Sequence, residues 1–128
     1  MDLEMHVGQA DTPKPRVTLG GRLDTHTFGA LDAELAPLLA NPRVTALVLD
    51  LAALEYISSA GLRSIFKARK ALAARGGKVL VLNPQPQIQK VFDVVKAVPL
   101  SEIFSSVAEA DAYLDAMQKK VLRGDDDE

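Results

Sequence analysis

The residues able to do chemistry gather at a few points of the chain. Ser58 and Ser59 stand side by side in EYISSAGLRSIF, residues 55–66, ahead of the small pair Ala60-Gly61. A serine hydroxyl can attack as a nucleophile, receive a phosphoryl group, or cap a helix by accepting from free backbone N–H groups. Nucleophilic use needs a base, and the two histidines, His6 and His26, offer none at a telling spacing. His6 falls on an expected first strand, and His26 reads as a solvated residue of a helix's first turn. No glycine stands two residues before either serine, so the turn is not a G-x-S-x-G elbow. There is no G-x-G-x-x-G or Walker A pattern to cradle a nucleotide. Two lone histidines with scattered carboxylates do not make a metal site. Lack of cysteine excludes disulfides and thiolate catalysis. These residues offer no catalytic set, cofactor cradle or metal site.

What remains is a surface that could be switched. Small residues at 60 and 61 are expected to leave both serine hydroxyls unshielded and to let another protein come close. A phosphate there would meet the positive end of a helix and add roughly −1.5 to −2 of charge. Arg63, Lys67 and Lys70 lie three and four residues apart on the helix that follows. They are either a solvated face or a face that steers an acidic partner. Asp24 and Asp50 are expected at the C-terminal ends of strands, the edge that carries the crevice in open α/β sheets. Each could equally cap or border a turn.

The elements that must position these residues follow from patterning. The chain has 128 residues, 48% hydrophobic and 25% charged, which fits one folded domain. Its net charge of −2 gives no field for recruiting nucleic acid. The acidic start MDLEMHVGQA lacks the apolar segment of a signal peptide, and no apolar run could cross a bilayer. A cytoplasmic protein without membrane insertion is expected.

Leu3, Met5 and Val7 alternate as in a short edge strand, and RVTLGGRLD reads as a second, with Gly20-Gly21 marking a bulge or a close backbone approach. Asp24 and Thr25 offer caps for a helix carrying Phe28, Leu31, Leu35, Leu38 and Leu39, in which Pro37 implies a kink or an early end. VTALVLDL, residues 44–51, is almost continuously apolar, the pattern of a central strand buried on both faces. After the serine turn comes a helix with Leu62, Ile65, Phe66 and Leu72 inward, ended at Gly76-Gly77. KVLVL, residues 78–82, reads as another buried strand, Ile88 to Val95 as a short helix, and EIFSS, residues 102–106, as a short strand. A closing helix carries Leu114, Met117 and Val121, which could pack internally or across a dimer. The order β-β-α-β-α-β-α-β-α predicts an α/β domain over residues 1–122, with a mostly parallel sheet of about five strands and about four helices. Residues 123–128 form an acidic, solvated tail.

Three stretches resemble the STAS-domain anti-sigma factor antagonists of bacteria: LGGRLDTHT at 19–27, VLDLAALEYISSAGLRSI at 48–65, and GGKVLVLNPQPQIQKVFDVVKAVPLSEIF at 76–104. The likeness spans about residues 15–115. It implies a binding module, not an enzyme, that holds an anti-sigma factor, itself a serine kinase of the histidine-kinase-like ATPase fold, and lets go when phosphorylated. A PP2C-type phosphatase would reverse the modification. The family's acceptor lies two residues before the motif glycine, so Gly61 assigns it to Ser59, with Ser58 as second choice. Where the family often has aspartate before the acceptor and serine or threonine after it, this chain has Ser58 and Ala60. With the basic face of the helix added to the turn, the partner surface is expected at Asp24, Ser58, Ser59, Ala60, Gly61, Arg63 and Lys67, on a monomer or weak dimer. Another role for the same domain is a stressosome-like scaffold or an accessory subunit of a lipid ABC transporter; the chain shows no sensor domain that would favour the scaffold.

Overall fold

The alternating apolar residues of the N-terminal segment form β1, Leu3–Gly8, which pairs antiparallel with β2, Arg16–Leu23. The remaining pairings are parallel. β2 pairs with β3, Ala46–Ile57, and β3 with β4, Lys78–Leu82, giving the order β1-β2-β3-β4. Helix α1, Phe28–Ala40, connects β2 to β3, and α2, Ser59–Ala73, connects β3 to β4. Helices α3, Pro86–Ala97, and α4, Val107–Arg123, follow. This computed structural model describes residues 2–97 and 104–124. The α/β architecture is as expected, with four strands among the described residues rather than about five. Residues 102 and 103 of the expected strand over 102–106 lie outside the described residues. The part that is described, Phe104–Ser106, is not strand. Ser106 is instead the N-cap of α4, its hydroxyl accepting from the Glu109 N–H while Glu109 reaches back to Ser105.

Strand β3 runs six residues past the expected end at Leu51. Its buried residues change spacing, from Leu47, Leu49 and Leu51 to Leu54 and Ile57. The change falls where the β2–β3 register shifts, beside Gly20 and Gly21. Gly21 adopts φ +87, and a Cβ there would collide with the Asp2 carbonyl, so the glycine pair marks both a bulge and a close approach. Asp50 therefore lies inside β3 rather than at its end. Its carboxylate accepts from Arg16 of β2 and from the Ala52 N–H.

Three further expectations are corrected. β4 has the expected bounds but is not buried: Leu80, Val81 and Leu82 are exposed, because among the described residues β4 pairs on one side only. Phe66 points outward at 38% exposure, and Ala68 takes the core position beside Leu62, Ile65 and Leu72. Helix α1 continues through Pro37 to Ala40, so of the two outcomes expected of the proline the early end is overturned. The core itself joins both layers, with Leu31 and Leu35 of α1, Ile65 and Leu72 of α2, Ile88 and Val91 of α3, and Leu114 and Met117 of α4 against the leucines of β3. Leu114 and Met117 thus pack internally.

Candidate functional site

The site is built where two parallel strands end together. Leu23 closes β2 opposite Ile57 of β3, and the Ser58 N–H donates to the Leu23 carbonyl at 2.9 Å. Ser58 is the N-cap of α2, its extended backbone turning the chain and its Oγ accepting from the Gly61 N–H at 3.3 Å. Ser59 is the first helical residue. Its own N–H donates to Oδ1 of Asp111 on α4 at 2.9 Å, and its Oγ is closed to solvent without a hydrogen-bond partner. The expectation of unshielded hydroxyls is overturned: Ser58 is 3% and Ser59 9% exposed.

The shield is α4. Gln118, buried, reaches the last residue of β3 with both ends of its amide. Its Oε1 accepts from the Ile57 N–H at 3.1 Å, and its Nε2 donates to the Ile57 carbonyl at 2.9 Å. Asp111 and Gln118 are seven residues apart, two turns on one helix face. One face of α4 therefore grips both sides of the serine turn. Neither residue was expected at the site. The available signal was Gln118, an amide set in the inward stripe of Leu114, Met117 and Val121.

Gly61 is small for an internal reason. A Cβ there would lie 2.7 Å from Leu23 Cγ, 2.9 Å from the Leu23 carbonyl oxygen and 3.0 Å from Ile57 Cγ1. The missing side chain lets α2 start against the two strand ends, rather than opening a path for a partner. Ala60 is buried with it.

Asp24 is held in the neighbouring turn. Its Oδ1 accepts from the His26 N–H at 2.9 Å, and Arg22 approaches its other oxygen at 3.4 Å while lying 4.0 Å over the Tyr56 ring. Asp24 thus braces the turn before α1, whose N-cap position is Thr27, so neither Asp24 nor Thr25 caps the helix directly. Arg63 shares a cavity with Ser59. Lys67 sits about 12 Å further along α2 and pairs with Asp32 of α1 at 3.1 Å. The structure thus brings Ser58, Ser59, Ala60 and Gly61 together, joins Asp24 to them through Leu23, puts Arg63 beside them, and leaves Lys67 apart.

Charge at the site is mixed. Burial pushes Asp24 up, but the His26 N–H, the Thr27 hydroxyl and Arg22 outweigh it and leave the carboxyl below its ordinary value. Arg16, with the Ala52 N–H, holds Asp50 low. Burial and the nearby Asp115 and Asp111 carboxylates push the Tyr56 hydroxyl up. Both lowered carboxyls bind protons more tightly in the unfolded chain, so they stabilise the fold above the ordinary carboxylate value. That contribution is lost as pH falls through the folded values. The urea midpoint is expected to hold steady down to about pH 5 and to fall below about pH 4. Asp50→Asn should lower the neutral-pH midpoint and shrink the acid-induced drop, as followed by circular dichroism. An unchanged drop would remove Asp50 from this account.

A cavity of about 310 Å³ lies against the Ser59 side of the turn. Ser59 and Arg63 line it from α2, and Phe104 to Val107 with Ala110 from the start of α4. Among the described residues no three His, Cys, Asp or Glu side chains are placed to hold a metal, and no helix is long and apolar enough to cross a membrane. The arrangement offers a buried hydroxyl at a helix N-terminus with an arginine one turn on.

Comparison with known proteins agrees with this fold. The sequence model described as the STAS domain matches residues 11–110. The anti-sigma F factor antagonist of Lysinibacillus sphaericus is 29% identical over 76 residues, 59% of this chain and 65% of that one. BtrV of Bordetella bronchiseptica, provisionally named an anti-sigma factor antagonist, is 34% identical over 76 residues with the same coverage, 59% and 65%. The matched part is thus just under two thirds of each relative's length. Among solved structures, the anti-sigma factor antagonist SpoIIAA in its unphosphorylated form superposes with a TM-score of 0.62 at 23% identity, covering 70% of this chain and 82% of SpoIIAA. Its phosphorylated form superposes equally well, at 0.62, covering 71% and 82%. With the family's sequence model covering most of its length and the fold shared, this chain belongs to the STAS domain family.

Proposed function

We infer that the chain is an anti-sigma factor antagonist working by partner switching. Unphosphorylated, it holds an anti-sigma factor that is also a serine kinase of the histidine-kinase-like ATPase fold. Phosphate on Ser59 releases that partner, and a PP2C-type phosphatase restores the binding form. Family membership and the names of the two relatives support the role. One structural observation carries the choice of residue. Ser58 uses its hydroxyl to cap Gly61, whereas the Ser59 hydroxyl has no partner. Modifying Ser58 would break a cap worth about 1 kcal/mol, while modifying Ser59 breaks no hydrogen bond made by that oxygen. Asp24, Arg63 and Lys67 would meet the partner directly, and Ser58, Ala60 and Gly61 would act by shaping the turn. A phosphate of roughly −2 there would reverse the charge beside Arg63 and weaken docking without unfolding the domain. With Leu114 and Met117 buried in the chain's own core, the domain acts as a monomer in this reading.

The test is titration calorimetry with a candidate anti-sigma factor kinase, with intact-mass spectrometry after addition of ATP. The wild type should bind one to one and gain a single phosphate, mapped to Ser59. Ser59→Ala should bind and stay unmodified, and Ser59→Asp should bind at least about 100-fold more weakly, ~2.7 kcal/mol. Equal binding by a folded Ser59→Asp removes the reading. A phosphate on Ser58 keeps the switch and moves the acceptor.

A further inference from the structure

The Ser59 hydroxyl is shut away. For phosphorylation its Oγ must bond to the γ-phosphorus of a nucleoside triphosphate as the bond to the diphosphate breaks, its proton passing to a base on the kinase. An oxygen out of solvent's reach, on the turn that Asp111 clasps and beside the cavity lined by the start of α4, cannot enter that line. We propose that the start of α4, Phe104 to Asp111, is a latched lid over Ser59, with the Asp111 carboxylate on the Ser59 N–H as the latch. The proposal rests on reading Ser59 as the acceptor.

Three features make this segment a unit that can lift. Its cap is made from within, Ser106 accepting from the Glu109 N–H and Glu109 accepting from Ser105, so leaving α2 does not break the cap. The Phe104 and Tyr113 rings contact each other at 5.2 Å and travel together. The cavity already separates the segment from Arg63, so little packed apolar surface is lost on opening. Asp111 is the one described hydrogen bond from this segment to α2. Deeper along the helix, Gln118 and Leu114 hold it to β3 and the core and define where it pivots. The latch also opposes the product. Asp111 already occupies the α2 N-terminus, so a phosphate on Ser59 faces a carboxylate and favours the lifted state. Modification would then keep the lid open until the phosphate is removed.

The chain has no cysteine, so Ser59→Cys places a single thiol under the lid. Alkylation by iodoacetamide joins the thiolate sulfur to carbon and releases iodide, at a rate that reads exposure. Rates are compared as thiolate rate constants from their pH profiles, because removing Asp111 also shifts the thiol's acidity. In the folded protein Ser59→Cys should react at least about 100-fold more slowly than in urea. Adding Asp111→Ala should speed it about tenfold, whereas Asp111→Asn, which keeps an acceptor oxygen, should speed it less than about threefold. Circular dichroism checks that all three are folded. Fast alkylation with Asp111 in place overturns the lid, and equal acceleration by Asn and Ala overturns the latch. If the kinase leaves Ser59 unmodified in both the Asp111 and Asp111→Ala backgrounds while alkylation follows the expected pattern, the acceptor reading has failed and the lid has not.

Discussion

Gln118→Leu should destabilise the domain by about 2–6 kcal/mol, because it orphans two buried backbone groups at about 1–3 kcal/mol each. The substitution nearly conserves volume, so no cavity is opened, and leucine suits the stripe of Leu114 and Met117 on hydrophobicity alone. An argument from core packing would therefore expect little change or a gain. The hydrogen bonds decide the sign. The Gln118 amide accepts from the Ile57 N–H at 3.1 Å and donates to the Ile57 carbonyl at 2.9 Å, and both bonds are buried. Leucine offers neither partner, and water cannot reach them. Urea unfolding followed by circular dichroism should show a lower midpoint with unchanged slope, and the melting temperature should fall by about 10 °C. A loss under about 0.5 kcal/mol would mean that the end of β3 finds other partners. The same change should raise hydrogen exchange at Ile57 and Ser58 before it affects the sheet centre.

The layout of the fold was legible because it rests on patterns that few other structures satisfy. Residues 44–51 are an almost continuous apolar run, and in a chain of alternating strands and helices that run reads as a central parallel strand. The rest of β3 was not legible. Its bulges change the spacing of buried residues from two to three, so Leu54 and Ile57 no longer read as strand. The apolar look of β4 overstated its burial, because β-branched and leucine residues signal a strand and say little about how many neighbours it has. Phe66 was misplaced because hydrophobic type alone cannot separate neighbouring positions on a helix. Ala68, which does face the core, carries too little apolar surface to stand out.

The serine turn was located from its sequence, yet its physical state was inferred wrongly. Small residues at 60 and 61 suggested exposure when they record close packing. What covers the turn comes from more than 50 residues away, through Asp111 and Gln118. A contact across that separation leaves no local periodic trace. Gln118 alone breaks its stripe, and a buried amide on an apolar face predicts a partner without naming it. Comparison of the two serines carries the same lesson. Their sequence context is nearly identical, and only the hydrogen bonds distinguish the cap, Ser58, from the uncommitted hydroxyl, Ser59.

Gly61→Ala tests whether the motif glycine serves packing or partner access. In an exposed helix, alanine for glycine gains up to about 1 kcal/mol. Here the added methyl would meet Leu23 Cγ at 2.7 Å, the Leu23 carbonyl oxygen at 2.9 Å and Ile57 Cγ1 at 3.0 Å. That carbonyl is backbone and already accepts the Ser58 N–H, so it cannot swing aside as a flexible side chain could. Overpacking costs about 1–3 kcal/mol or more and exceeds the helix gain, so a net loss of about 2 kcal/mol is expected. Gly29→Ala is the control. It lies in the first turn of α1 with nothing within 4 Å of the added carbon, and should gain about 0.5 kcal/mol. Opposite signs at the two glycines, read from urea midpoints, would establish that Gly61 is required by the joint between β2, β3 and α2. Equal gains would mean that the joint has slack. The glycine's role would then have to be sought in partner binding, where Gly61→Ala should weaken the kinase complex without weakening the fold.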